Sequence, residues 1–388
     1  RRVRGRRGGG LPGEGLSSLP PPLPPFPPPP PPPPPVEYLP PPAFVPAAPR
    51  RRERWWLHAL LLLATFGTTA LVGAQLATGY ERRLAVIDPR GDLFQIFPRL
   101  AIAGLVITRE NLLAGLAYTV PLLLILLAHE LGHYLMCRRY GIDASPPYFL
   151  PFLPVVPLPG TFGAFIRVRE PIRDKRALFD MAVAGPIAGF LVALPFAAWG
   201  IWHTRLNFEP LTPGTEYFGY PLAVTVLQLL MTGHTFTSLH VVEHPTFMAA
   251  WWGFVVTAIN LIPAGQLDGG HTIYAVFGRR HRLFRWPVLL ALFGLGFLYA
   301  SWWLWAAIVL ILTALRRPAL ADEDIPLDPR RKAVAALVLL ILILSFVPVP
   351  IRRLDDRPFR SPGERGGTVV HQLDLHRRAE APGRHGHA

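Results

Sequence analysis

Apolar positions in this chain come in long unbroken runs separated by short polar blocks rich in arginine. A helix needs roughly 20 apolar residues to cross a bilayer. Seven runs approach that length: Trp55 to Thr78, Asn111 to Cys137, Phe179 to Trp202, Thr246 to Pro263, Phe284 to Ala300, Ser301 to Leu315, and Ala333 to Val349. The fifth and sixth abut, and one helix over both would be too long for a single crossing without a large tilt. Ala101 to Ile107 and Leu222 to Met231 are too short to span and read as re-entrant or interfacial pieces. The pattern predicts an all-α polytopic membrane protein of about seven transmembrane helices, with residues 55–350 as its membrane domain. Ahead of it, residues 1–54 open with Arg and Gly and then run almost unbroken in proline through Pro35. Such a segment forms no core and reads as a disordered, extended tether. Residues 351–388 read as a polar, flexible tail.

Composition agrees: 51% of the 388 residues are hydrophobic and 16% charged, unlike a soluble domain. The net charge of +14 does not point to nucleic acid, because the arginines sit in blocks between apolar runs, where they fit anionic headgroups. The blocks at Arg50 to Arg54, Arg138 to Arg176, Arg279 to Arg285 and Arg316 to Lys332 then mark the cytoplasmic face, with His203 to Pro245 outside. The arginines from Arg82 to Arg109 and those after Arg352 run against that assignment. Cys137, the one cysteine, excludes an internal disulfide framework. No cleavable signal peptide and no transporter-like internal repeat is apparent.

One run contains polar residues that do not belong in lipid. Within LLLILLAHELGHYLMCRRY, from Leu122 to Tyr140, stand His129, Glu130 and His133. Buried ionisable groups at membrane depth are costly and mark functional sites. On a helix His129 and His133 lie one turn apart on one face, within reach of one metal ion, with Glu130 beside them to act on water. A catalytic zinc site takes three protein ligands. The candidate for the third is Asp268, in Asn260-Leu-Ile-Pro-Ala-Gly-Gln-Leu-Asp268-Gly-Gly-His271, where Pro263 and Gly265 interrupt a helix and turn the carboxylate inward. Gly269 and Gly270 are expected to allow close approach to the metal.

HELGH in one apolar helix and NLIPAGQLDGGH in a later one resemble the site-2 protease family of intramembrane zinc metalloproteases. GTFGAFIRV from Gly160 to Val168 and AGPIAG from Ala184 to Gly189 extend the resemblance over about residues 111–280. It implies that His129, His133 and Asp268 hold one zinc ion per chain and that Glu130 is the catalytic base. It also implies that the substrates are transmembrane proteins met within the lipid bilayer, with no nucleic acid involved. No PDZ insertion is recognisable and the loop His203 to Pro245 is short for one, which points to the compact branch. The expected location is a bacterial cytoplasmic membrane. His133 lies only five residues from Arg138, which puts the chemistry towards the cytoplasmic side. A non-catalytic, chaperone-like membrane protein of the same fold is the alternative, and a metal transporter a third reading.

A helical substrate must unwind before it is cut. Pro146 to Arg169 cannot be a regular helix, since its prolines recur every few residues. The alternation Phe162, Ala164, Ile166, Val168 predicts a strand in a short membrane-associated β-hairpin between the second and third spans, its edge receiving the substrate. Asn260 is a second substrate-binding candidate, to hold backbone or oxyanion, with a helix-helix hydrogen bond as its other reading. His271 is a candidate partner behind the ligands. His234, His240, Glu243 and His244 fit no familiar ligand spacing and read as solvated loop residues.

Overall fold

The computed structural model describes residues 53–82, 109–154, 158–172, 174–206, 216–314 and 326–353. The proline-rich head, the piece at Ala101 to Ile107 and the tail beyond residue 353 lie outside these. Three helices among the described residues are long and apolar enough to cross a membrane: α1 (Trp55–Arg82), α2 (Arg109–Arg139) and α3 (Lys175–Trp202). The later runs form shorter helices than hydropathy suggests. The fourth gives α5 (Pro245–Asn260) and stops ahead of Pro263, while 16 residues rise only about 24 Å. The fifth and sixth give α7 (Arg282–Gly296) and α8 (Ser301–Ala314), and the seventh gives α9 (Pro329–Ser345). The boundary between the fifth and sixth runs falls at residues 297–300, where α7 turns back onto α8 and Trp303 Nε1 donates to the Phe293 carbonyl at 3.2 Å. Leu222 to Met231 becomes α4 (Leu222–Thr232), an 11-residue helix that leaves Leu222, Leu229 and Leu230 exposed. Between α5 and α7 lies α6 (Asp268–Phe277).

Helix α2 is central, packed on α1, α3 and α5. Helices in lipid gain no hydrophobic driving force from one another, so small residues that let backbones meet decide where they cross. A Cβ on Gly73 of α1 would overlap the Gly115 carbonyl of α2, and one on Gly132 of α2 would press on the Ala184 backbone of α3. Helix α9 is tied to this core by Arg331. Its guanidinium meets Asp180 of α3 through Nε at 2.8 Å and Nη2 at 2.6 Å, and Nη2 reaches Tyr140 Oη at 3.2 Å, just past the end of α2.

Between α2 and α3 the chain leaves helical conformation. Strand β1 (Tyr148–Pro151) pairs antiparallel with β2 (Thr161–Phe165), Tyr148 opposite Phe165 and Leu150 opposite Gly163. The register then slips so that Pro151 faces Thr161. This bulge leaves Phe162 without an opposite residue, and Gly163 adopts φ 103°. It corrects the expected alternation: Phe162 turns outward, 69% exposed, against Phe152, whereas Ala164 and Ile166 pack inward. Non-helical backbone at membrane depth is tolerated only where its polar groups find protein partners. Here α1 and α2 supply them. Gln75 Nε2 donates to the Pro154 carbonyl at 2.9 Å, Thr68 Oγ1 to Gly160 at 2.7 Å, and Tyr118 Oη to Pro159 at 3.0 Å, while His58 Nδ1 lies 3.1 Å from the Pro147 carbonyl.

The segment after α3 carries β3 (Arg205–Leu206), β4 (Glu216–Phe218), α4 and β5 (Val241–Val242), and β4 pairs with β6 (Ile351–Arg353) after α9. It is not the solvated loop that its polarity suggests. Glu243 is buried and accepts a 2.7 Å hydrogen bond from Tyr220 Oη; His244 is half-buried, its ring edge-on to Tyr80. His234 and His240 do stand exposed. Burial raises the Glu243 pKa to about 7, against 4.5 in an open chain. The folded protein therefore holds a proton that the unfolded chain releases, so this stabilisation is complete below pH 4.5 and is lost as pH rises to about 7. Thermal unfolding in detergent between pH 4.5 and 8 should show that loss in the wild type, and Glu243→Gln should flatten it; parallel curves would show that Glu243 does not titrate there.

Candidate metal centre

HELGH lies in the last turns of α2, where His129 and His133 share the face turned to α3 and α6. Asp268 comes to the same point as the first residue of α6. The chain reaches it by leaving α5 at Asn260 and turning through Gly265 at φ 57°, a left-handed conformation that suits glycine. His129 Nε2 and His133 Nε2 stand 3.1 Å apart, and the Asp268 Oδ2 lies 3.4 Å and 3.3 Å from them. Ligands about 2.0–2.1 Å from a tetrahedral zinc ion stand about 3.3–3.4 Å from one another, and two imidazoles with one carboxylate is a donor set that zinc accepts. The residues present fit the metal. Among the described residues these three form the one His, Cys, Asp or Glu group able to hold an ion. Both histidines are buried, while Asp268 keeps 19% of its side chain exposed, so the site has one open side.

Helix α3 shapes the site from behind. His133 Nδ1 is 2.8 Å from the Met181 carbonyl, an oxygen that can only accept, so Nδ1 carries the proton and the Nε2 lone pair faces the other two donors. A Cβ on Gly185 would land on that Nε2, and one on Gly189 would stand 3.2 Å from His129 Nδ1. These glycines form the cradle into which the imidazoles fit. Hydropathy gives them no role; the four-residue spacing in AGPIAG, which puts both on one helix face, is the signal that could have found them. The aspartate motif holds a correction. A Cβ on Gly269 would overlap the Leu261 carbonyl, so its close approach is to the preceding turn of chain, not to the metal.

Glu130 is buried next to the donors, its carboxylate facing the backbone N–H of Ile166, one residue beyond β2. Asn260 closes another side, its Nδ2 3.3 Å from His129 Nε2. Of the residues expected to touch substrate, Asn260 and Ile166 come to the site. Ala164 packs on the main core and Phe162 points outward. His271 lies one turn into α6, its backbone N–H on the Leu267 carbonyl at 2.9 Å.

The model of peptidase family M50 matches residues 117–299, a stretch that holds both histidines, Glu130 and Asp268. Over this stretch the chain is similar to peptidase family M50. The proteins it is similar to include plant zinc metalloproteases. It is 30% identical over 247 residues to "Probable zinc metalloprotease EGY2, chloroplastic" of Arabidopsis thaliana, covering 62% of this chain and 43% of that protein. It is 31% identical over 245 residues to "Probable zinc metalloprotease EGY1, chloroplastic" of Oryza sativa subsp. japonica, covering 61% and 41%. The chain thus spans less than half the length of these relatives. Their names place them in chloroplasts, and nothing in these matches supports the bacterial cytoplasmic membrane expected from the sequence.

Proposed function

We propose that this protein is a zinc endopeptidase of the M50 kind that hydrolyses peptide bonds in or near transmembrane segments of other membrane proteins. The observation that carries the proposal is the meeting, at the end of a membrane-length helix, of three converging donors, a buried carboxylate and the end of a strand. His129, His133 and Asp268 would hold one zinc ion. When bound, zinc supplies Lewis acidity and lowers the pKa of water from about 15.7 to near 7. Glu130 takes a proton from the attacking water and returns it to the leaving amine. Asn260 is placed to hydrogen-bond the substrate backbone or the oxygen that gains charge. An intact Glu130 speaks against the chaperone-like alternative. The full chain in detergent with a model transmembrane substrate should yield cut fragments, lose the cleavage on chelation and regain it with zinc. Cleavage indifferent to chelation would sink the zinc reading.

The strand pair supports a place for the substrate. An unwound segment added along β2 would have its peptide bonds aligned beside Glu130, because the strand ends at the Ile166 N–H that faces that carboxylate. Ile166→Pro removes this N–H. Cleavage should fall about 10-fold or more with zinc content unchanged; wild-type rates would show that this end of the strand does not support Glu130.

A further inference from the structure

We infer that Arg331 of α9 is a positioning residue for the metal centre, acting through Asp180 on the backbone carbonyl that holds His133. The inference rests on the zinc reading above. His133, Cys137 and Tyr140 follow one another at four- and three-residue spacing, so they continue one stripe of α2 to just past its end. All three meet the same two residues of α3. His133 Nδ1 is 2.8 Å from the Met181 carbonyl, Cys137 Sγ is 3.4 Å from Met181 Sδ, and Tyr140 Oη donates to Asp180 Oδ2 at 2.5 Å. This ladder runs about 10 Å along α2, from the metal ligand to the helix end.

Met181 offers a backbone carbonyl, which no rotation of its own side chain can re-aim. Its place is set by how α3 lies against α2. The close approach of Gly132 to Ala184 fixes that spacing on one side of His133, and the Tyr140–Asp180 contact fixes it on the other. Arg331 makes the second contact a rigid one. Its Nε and Nη2 take the two oxygens of Asp180 at 2.8 Å and 2.6 Å, and Nη2 also reaches Tyr140 Oη at 3.2 Å. The guanidinium is itself held. Nη1 donates to Asp328 Oδ2, while Asp328 Oδ1, as the cap of α9, accepts the Arg331 backbone N–H at 3.1 Å. A two-pronged arginine–carboxylate pair fixes direction as well as distance, which the point charge of a lysine does not. The Arg331 and Asp180 side chains keep 24% and 22% of their surface exposed, and an ion pair this open adds little to stability. Its main consequence is therefore geometric: it holds Met181 where His133 needs it.

The zinc Kd of the full chain in detergent, measured by competition with a chromogenic chelator beside the unfolding temperature, tests this. Losing a group that orients a metal ligand from behind weakens metal binding about 10–100-fold. Arg331 stands one step further back, so Arg331→Gln should raise the zinc Kd about 10-fold. Asp180→Asn should do the same, and the double variant should bind no more weakly than either single one, because the two residues act as a unit. Ile341→Ala is the control. Ile341 is buried in the core about 15 Å further along α9, so this variant should lower the unfolding temperature more than Arg331→Gln does and leave the zinc Kd alone. Should Arg331→Gln fail to fold, Arg331→Lys decides, with an expected several-fold rise. An unchanged Kd in the arginine variant, losses that add in the double variant, or an equal rise in Ile341→Ala would overturn the inference. A wild-type chain that binds no zinc would bring down the zinc reading itself, and the role of Arg331 with it.

Discussion

Glu130→Gln should lower cleavage of a model transmembrane substrate by about 10³-fold or more while leaving the zinc content at the wild-type level. The two halves of this result have separate causes. Gln has the shape of Glu and can still accept from the Ile166 N–H, and the donors that converge are His129, His133 and Asp268, not Glu130. Metal binding should therefore survive. What is lost is a group that can accept a proton, and a positioned general base contributes about 10²–10⁴-fold, more where no other base can substitute. Among the described residues, Asp268 is the other carboxylate of the centre and is committed to the imidazoles. Zinc by emission spectroscopy and fragment release by mass spectrometry check both halves on one preparation. Cleavage close to the wild-type rate would overturn Glu130 as the base, and loss of zinc would instead show a structural fault.

The sequence makes this centre legible because its parts violate their surroundings. His129, Glu130 and His133 are polar residues in an apolar run, and Asp268 stands in a glycine- and proline-broken turn, so cost and spacing together expose them. Residues that obey their surroundings stay hidden. Gly185 and Gly189 are ordinary in a membrane helix, and the Met181 carbonyl belongs to any backbone; their part in holding the imidazoles exists only once α2 and α3 cross. The same division explains the fold. Apolar length announces α1, α2 and α3, whereas the later runs are cut by Pro263 and by the turn at 297–300 into helices shorter than their hydropathy implies. The strand beside Glu130 is readable from proline density, but the bulge that expels Phe162 depends on pairing with β1, which no local pattern encodes. Glu243 is misread for a related reason: polarity announces a loop and says nothing of Tyr220 covering it.

Gly185→Ala, which adds one methyl group, should empty the metal centre. Alanine favours a helix over glycine by about 1 kcal/mol, so taken alone the substitution ought to firm up α3. The added Cβ, however, falls on His133 Nε2, the atom whose lone pair would face the metal. Neither partner can yield cheaply. The imidazole is held from the other side by the Met181 carbonyl at 2.8 Å, and α3 is pressed on α2 where Gly132 meets Ala184. Overpacking of this kind costs about 1–3 kcal/mol when the surroundings relax, and the soft response here is rotation of His133 out of the site. The expected result is zinc below about a tenth of an equivalent and cleavage lost about 10³-fold, with helical content by circular dichroism unchanged. Gly189→Ala provides the scale. Its Cβ would stand 3.2 Å from His129 Nδ1, a tight contact that a few tenths of an ångström relieve, so zinc should be retained and cleavage reduced only several-fold. Gly200→Ala controls for crowding of α3 as such, because its Cβ would strike Phe247 near the far end of that helix. It should lower the unfolding temperature and leave zinc content alone. A Gly185→Ala protein that keeps a full equivalent of zinc would show that α3 does not form the wall behind His133.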